Sequence, residues 1–272
     1  MKYLRITTEE IPEGAYGILK GETIYVLDSS PLGCGKETGR TISLHQVKSF
    51  LPPVEPPNII ALGLNYSDHA RESKKALPPA PIIFLKATTS LTGHLCPIIL
   101  PREAPSCVDY EAELVVVIGK CAKNVPEEKA LEYIFGYTCG NDVSARDCQL
   151  KIDQQWARGK SFDSFAPVGP WIETDLDPSC LNIRLFLNGQ LMQNGNTSGL
   201  IFNVPGLVSY LSRQMSLLPG TIIMTGTPAG VGFVRQPPVF LKPGDTVEVE
   251  IEGIGVLRNK VVAESGNERD KN

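Results

Sequence analysis

Apolar and polar positions along this chain alternate on a short scale, and the runs they form are mostly of strand length. Asn58-Ile59-Ile60-Ala61-Leu62-Gly63-Leu64 and Ile82-Ile83-Phe84-Leu85 each read as a buried strand. Leu114 to Ile118 is apolar on both faces, the pattern of a strand covered from two sides. Thr23 to Leu27 and Thr221 to Met224 are shorter pieces of the same kind. In Thr246-Val247-Glu248-Val249-Glu250-Ile251, apolar and acidic residues alternate with period two behind a Lys242-Pro243-Gly244-Asp245 turn, which predicts a late hairpin. Helical patterning by hydrophobic spacing marks three segments. The first runs from Ser67 to Lys75, capped near Asn65 and ended by Leu77-Pro78-Pro79-Ala80-Pro81; the others are Glu127 to Phe135 and Val204 to Ser212. The prediction is a β-dominated α+β chain. Leu51-Pro52-Pro53-Val54-Glu55-Pro56-Pro57 is too rich in proline for a helix or a central strand and reads as a linker. It divides a small N-terminal β domain, residues 1–53, from a main domain, residues 54–272.

Composition narrows the classes of function. Glycine (25) and proline (22) are frequent, as a turn-rich β architecture requires. Net charge is −4 and the longest basic run is Lys74-Lys75, which argues against nucleic acid as a partner. No apolar stretch approaches the roughly 20 residues of a membrane span, and the first ten residues lack a signal-peptide apolar region. A soluble cytoplasmic protein is expected. The seven cysteines are odd in number and form no Cys-x-x-Cys pair, so buried free thiols explain them better than disulfides or zinc. With only three histidines, any metal here is bound mainly by oxygen, which favours Mg²⁺, Mn²⁺ or Ca²⁺.

The candidate chemistry begins at Asp109-Tyr110-Glu111-Ala112-Glu113, which runs straight into the Leu114–Ile118 strand. On a strand, Glu111 and Glu113 share a face about 6.6–6.8 Å apart. Two carboxylates at the mouth of a buried strand repel each other and resist desolvation unless a cation lies between them. A divalent metal site is one reading; an exposed strand end with its acids in water is the other. Asp142, Arg146 and Gln149 are spaced i, i+4, i+7, so a helix beginning near Asp142 would set them on one face, either as part of a site or as a capped surface helix. His69 and Glu72 lie at i, i+3 on the short helix, where a carboxylate can orient an imidazole as a general base or simply share a surface with it. Lys160 stands in Arg158-Gly159-Lys160-Ser161-Phe162-Asp163, and a lone lysine is ordinarily a solvated group. Thr225-Gly226-Thr227-Pro228-Ala229-Gly230-Val231-Gly232 follows a strand and suits a backbone-rich binding turn, without the ending of a nucleotide P-loop.

Together and in this order, these segments resemble the fumarylacetoacetate hydrolase superfamily. The matching pieces are Gly63 to His69, Phe84-Leu85-Lys86, Asp109 to Leu114, Gly140 to Asp147, Lys160 to Asp163 and Thr225 to Gly232. The resemblance spans roughly residues 58 to 262 and hardly touches the first fifty. It implies a fold of packed mixed β-sheets with few helices, usually a homodimer. It also implies Mg²⁺ or Mn²⁺ held by Glu111, Glu113 and Asp142, with Arg146, Gln149 and Thr227 on the substrate and Lys160 near the reacting carbon. His69 and Glu72 match a His-x-x-Glu pair that some members carry on a mobile lid. Two departures separate the chain from the founding hydrolases: the partner of the histidine is the nearby Glu72, and Ile59 to Leu64 lacks their extra aspartate. The chain is therefore more similar to the smaller bacterial members. The expected activity is metal-dependent chemistry on a small 2-oxo or 2-hydroxydienoic diacid through an enolate, as 2-hydroxyhepta-2,4-diene-1,7-dioate isomerase or C–C hydrolase. The alternatives are an oxaloacetate decarboxylase or tautomerase, and a non-catalytic binder of 2-oxo acids.

Overall fold

The computed structural model describes residues 1–265. Its largest element is a mixed sheet whose main path runs Glu37–Ser43, Thr23–Leu27, Ala15–Lys20, Lys2–Thr7, Ala166–Glu173, Ile134–Asn141, Ala112–Ile118, Ile222–Met224, Ile59–Gly63 and Ile82–Lys86. A second sheet of five strands runs Gln190–Asn196, Asn182–Leu187, Thr246–Ile251, Gly255–Ala263 and Ile98–Leu100. The alternating Thr246–Ile251 segment pairs antiparallel with Gly255–Ala263, the expected hairpin. The fold is β-dominated α+β.

The Ala112–Ile118 strand shows why an apolar run without alternation was needed. Its Leu114, Val116 and Ile118 enter one hydrophobic core with the five-stranded sheet, and its Val115 and Val117 enter another with Ile59, Ala61 and Met224. Both faces are buried because a second layer lies on each side. β-Branched valines also suit the pleated backbone at this position. Ile134–Asn141 pairs along one edge of the strand and Ile222–Met224 covers Val115 to Val117 on the other.

The N-terminal strands close round their own apolar cluster of Leu4, Ile6, Ile24, Val26 and Ile42. They are hydrogen-bonded to the large sheet where Lys2 and Tyr3 register with Glu173 and Ile172. Leu51, at the start of the proline-rich segment, pairs with Arg5.

The helices follow their patterns only in part. Val204–Gln214 is the longest among the described residues at 11 residues and runs past the expected end at Ser212, with Asn203 Oδ1 accepting from Gly206 N at 2.9 Å as its cap. The 127–133 segment is a 3₁₀ helix rather than an α-helix. The His69 helix spans Ser67–Glu72, and Asn65 does not cap it. The Asn65 amide instead donates to Phe202 O and Thr225 O, tying this segment to two loops. No helix among the described residues is long and apolar enough to cross a membrane. Cys139 and Cys148 are buried, whereas Cys34, Cys121 and Cys180 are exposed, so burial holds for only part of the cysteine set.

Leu114 is fully buried where the main core meets the strand that leads out of the acidic segment. Leu114→Ala is expected to destabilise the protein by about 2–5 kcal/mol, read as a lowered midpoint in urea unfolding.

Candidate metal centre and substrate cleft

The two acidic segments meet where adjacent strands end. Register pairs Glu113 with Gly140 and Ala112 with Asn141, which brings Asp142 beside Glu111. Two further bonds lock the crossing: Asp142 N donates to Glu111 O, and Glu111 N donates to Asn141 Oδ1, each at 2.9 Å. Carboxylate oxygens of Glu111, Glu113 and Asp142 all lie within 4.8 Å of one another, and all three residues are buried. The exposed strand-end reading of the acids is thereby excluded.

Cations surround this cluster unevenly. Lys160 Nζ bridges Glu111 Oε2 at 2.8 Å and Asp142 Oδ2 at 2.5 Å, and Lys86 Nζ bonds the other oxygen of Asp142. Arg146 Nε donates to Asp109 Oδ2 at 2.9 Å. Its Nη2 lies 2.7 Å from Glu111 Oε1 but off the line of a hydrogen bond. Four buried carboxylates, with Asp109 included, thus face three buried cations and leave a formal charge of −1. The surplus falls on Glu113, whose Oε2 accepts from Gly226 N at 2.8 Å while its Oε1 has no partner among the described residues.

The acid–base consequences follow from burial and neighbours. Burial, then Asp142 and Glu111, push the Glu113 carboxyl well above the usual carboxylate range. Glu111 is also buried, yet Lys160 and Arg146 hold it well below that range. Burial pulls Lys86 down, whereas Lys160 is held up against its own burial by Asp142 and Glu111. Tyr66, also buried with an unpartnered hydroxyl, is pushed up by burial and then by Glu113.

These features fit a hard divalent cation. The free Glu113 oxygen has a like-charged neighbour on each side, and all three donors are carboxylates, the ligands that suit Mg²⁺ or Mn²⁺. A divalent charge would change the local −1 to +1.

The remaining expected residues line a cleft beside the triad. His69, Glu111, Arg146, Gln149, Lys160 and Thr227 all face it. Asp142, Arg146 and Gln149 do not share one helix face, because the chain forms a short strand at Ser144–Ala145 and a π-helix at Cys148–Ile152. Arg146 and Gln149 still meet, with Arg146 Nη1 donating to Gln149 Oε1 at 2.8 Å. Glu72 does not line the cleft. It accepts from Gly230 N at 3.0 and 2.9 Å and lies 3.0 Å from His69 Nδ1. A carboxylate only accepts, so neutral His69 in this contact carries its proton on Nδ1 and keeps the Nε2 lone pair free. Thr227 Oγ1 accepts from Gln193 Nε2 at 2.8 Å, which leaves its own proton to donate.

Sequence reasoning assigned no role to Lys86, Asp109 or Gln193. Asp109 is fully buried and accepts from Arg146 Nε, Gly232 N and Phe233 N, so it orients the arginine and fastens the glycine loop. Its spacing two residues before Glu111 was the available signal. Lys86 closes an apolar strand, where a lysine demands a counter-charge. Gln193, which holds Ala112 N and Thr227, carries no sequence signal.

With this geometry in place, comparison with known proteins is decisive for the family. The fumarylacetoacetate (FAA) hydrolase C-terminal model matches residues 58–262. The chain belongs to the fumarylacetoacetate hydrolase family. An Rv2993c-like N-terminal model matches residues 1–53. Among solved structures, 2-hydroxyhepta-2,4-diene-1,7-dioate isomerase from Mycobacterium marinum is 41% identical with a TM-score of 0.86, covering 98% of this chain and 100% of that one. 5-Carboxymethyl-2-hydroxymuconate delta-isomerase from Mycobacterium smegmatis is 42% identical with a TM-score of 0.87, covering 97% and 100%. A mitochondrial oxaloacetate tautomerase of Rattus norvegicus is 44% identical over 220 residues, 80% of this chain and 70% of that protein. This fumarylacetoacetate hydrolase family member therefore belongs among enzymes, and its buried acidic triad fits the divalent-metal dependence of the family.

The raised Glu113 carboxyl gives a signed pH dependence. An acid whose folded pKa lies above its unfolded value, about 4.3 for Glu, costs nothing below that value and destabilises progressively as pH rises through the folded one. A cation removes the cost only where Glu113 is ionised. The rise in Tm on adding Mn²⁺ is therefore expected to grow as pH rises from about 5 to 8, with protons released on binding. Scanning calorimetry with and without Mn²⁺ measures it, and Glu113→Gln should flatten the trend.

Proposed function

We propose that this chain is a divalent-metal-dependent enzyme acting on a small 2-oxo or 2-hydroxydienoic diacid through an enolate, as 2-hydroxyhepta-2,4-diene-1,7-dioate isomerase or C–C hydrolase. The observation that carries this reading is the unpartnered Glu113 oxygen, flanked by Glu111 and Asp142 beside a cleft lined by His69, Arg146 and Lys160. A bound Mg²⁺ or Mn²⁺ would supply the positive charge that stabilises an enolate oxygen.

The chain's own residues have separable parts in this scheme. Arg146, held by Asp109 and Gln149, presents a fixed guanidinium to the substrate carboxylate. Thr227 donates its hydroxyl proton to a substrate oxygen. Lys160 stays protonated between Glu111 and Asp142 and faces the developing negative charge. His69 Nε2 is the proton acceptor, oriented through Nδ1 by Glu72. In isomerisation, a proton leaves the 2-hydroxyl and another is delivered to the far carbon of the diene, and His69 can hold one between the two transfers. In hydrolysis, His69 takes a proton from water, the hydroxide attacks the distal carbonyl, and the C–C bond breaks to leave an enolate that is then protonated.

The second reading is oxaloacetate tautomerisation, favoured by the 44% identity to the rat protein of that name. It needs proton transfer alone. A purely non-catalytic binder of 2-oxo acids would have no use for the buried His69 held against Glu72.

Chelator-treated protein is expected to show no turnover of 2-hydroxyhepta-2,4-dienedioate, acylpyruvates or oxaloacetate, and Mg²⁺ should restore it. If no substrate responds to the metal, the enzymatic reading is wrong. His69→Ala should reduce hydrolysis at least about 100-fold, in the usual range for loss of a general base, and decarboxylation much less. Equal losses in kcat would remove His69 from the assigned role.

A further inference from the structure

The cleft has a second charged end that the reaction scheme leaves unused. The His69 helix finishes in a Schellman closure, with Lys74 N donating to Arg71 O at 3.1 Å and Lys75 N to Ala70 O at 2.9 Å. Lys74 takes the left-handed conformation at φ 54°, which turns the chain so that Ser73 and Lys75 line the cleft. Lys75 Nζ lies 5.9 Å from the Trp156 ring centroid. Trp156 meets Phe84 edge-on at 5.6 Å, and Phe84 lies 5.1 Å from Lys160 Nζ. Two ammonium groups are thus joined by a wall of two aromatic rings, one beside the acidic triad and one at the rim.

Three observations bear on this end of the cleft. Trp156 is seated against Gly63, where a Cβ would fall 2.5 Å from the ring, so the backbone there leaves room for the indole only without a side chain. Ser73 Oγ is buried and has no hydrogen-bond partner among the described residues. Lys75 is exposed and joins no ion pair among the described residues, although its neighbour Glu72 is taken by His69 and Gly230. A ligand spanning this wall meets flat apolar surface in its middle and, towards its far end, the Lys75 cation, with Ser73 lining the same cleft.

We propose that Lys75 and Ser73 form a subsite for a distal carboxylate, so that the cleft selects 2-oxo or 2-hydroxy acids carrying a second carboxylate beyond a flat spacer of several carbons. This rests on the reading of the triad as a metal and 2-oxo-acid site, and it names the substrate class of that site. The two ring centroids stand 5.6 Å apart, more than the carbon chain of a four-carbon diacid spans, so Lys75 is assigned the discrimination between long and short diacids.

The test is calorimetry on Mn²⁺-loaded protein with 2-oxoheptanedioate, with 2-oxoheptanoate (the same chain without the second carboxylate) and with oxalate. Lys75→Ala is expected to weaken 2-oxoheptanedioate about three- to fivefold, the scale of a solvent-exposed ion pair, and to leave the other two within about twofold. Lys75→Arg should keep the preference and Lys75→Glu should weaken the diacid further. Equal weakening of all three ligands by Lys75→Ala, or an unchanged affinity for the diacid, overturns the subsite. If wild-type protein binds none of the three, including oxalate, the metal and 2-oxo-acid reading itself fails and takes the subsite with it.

Discussion

Four carboxylates held out of water against three cations is the constraint on which the rest of this structure depends. Each of these charges would be costly to bury alone, and the arrangement survives because nearly every one has a partner at hydrogen-bond distance. Lys160 and Lys86 share Asp142, Lys160 and Arg146 share Glu111, and Arg146 in turn answers Asp109. Among the described residues, the carboxylate oxygen of this network left without a partner is Glu113 Oε1. That shortfall is what makes the network fit a divalent cation.

The loop from Thr225 to Gly232 is the second component, and its backbone acts on carboxylates throughout its length. Gly226 N reaches Glu113, Gly230 N reaches Glu72, and Gly232 N reaches Asp109. One loop therefore fixes a triad member, the partner of His69 and the residue that orients Arg146. Gly232 tolerates no side chain, because a Cβ would lie 1.9 Å from Val239 O and 2.5 Å from Asp109 Oδ1. The glycines of this segment allow the main chain itself to come close enough to act as donor, the role that side-chain amides play elsewhere.

The surrounding sheets supply rigidity and a low dielectric. The triad lies at the ends of strands buried on both faces, so its geometry is set by the ladder between Ala112–Ile118 and Ile134–Asn141. His69 stands on a six-residue helix across the cleft, held through Glu72 to the glycine loop. Acidic cluster and His69 are thus carried by different elements, with the cleft between them and an aromatic wall along one side.

Local sequence went far toward this picture. The continuous apolar run after Glu113 specified a strand covered twice, and its period of two put Glu111 and Glu113 on one face. The i, i+3 spacing of His69 and Glu72 specified their contact, since both properties belong to a single element whose period is known. The helix expected to align Asp142, Arg146 and Gln149 begins only at Arg146; Asp142 follows the strand that ends at Asn141, and the three are gathered by sheet register and a π-helical turn instead. Only the tertiary structure decided which segments meet: that Lys86 and Lys160 both close on Asp142, that Gln193 supports Thr227, and that Lys75 overlooks Trp156. Periodicity reports the direction of a side chain about its own element, whereas the pairing of residues 49 and 56 positions apart depends on strand order and on packing between layers.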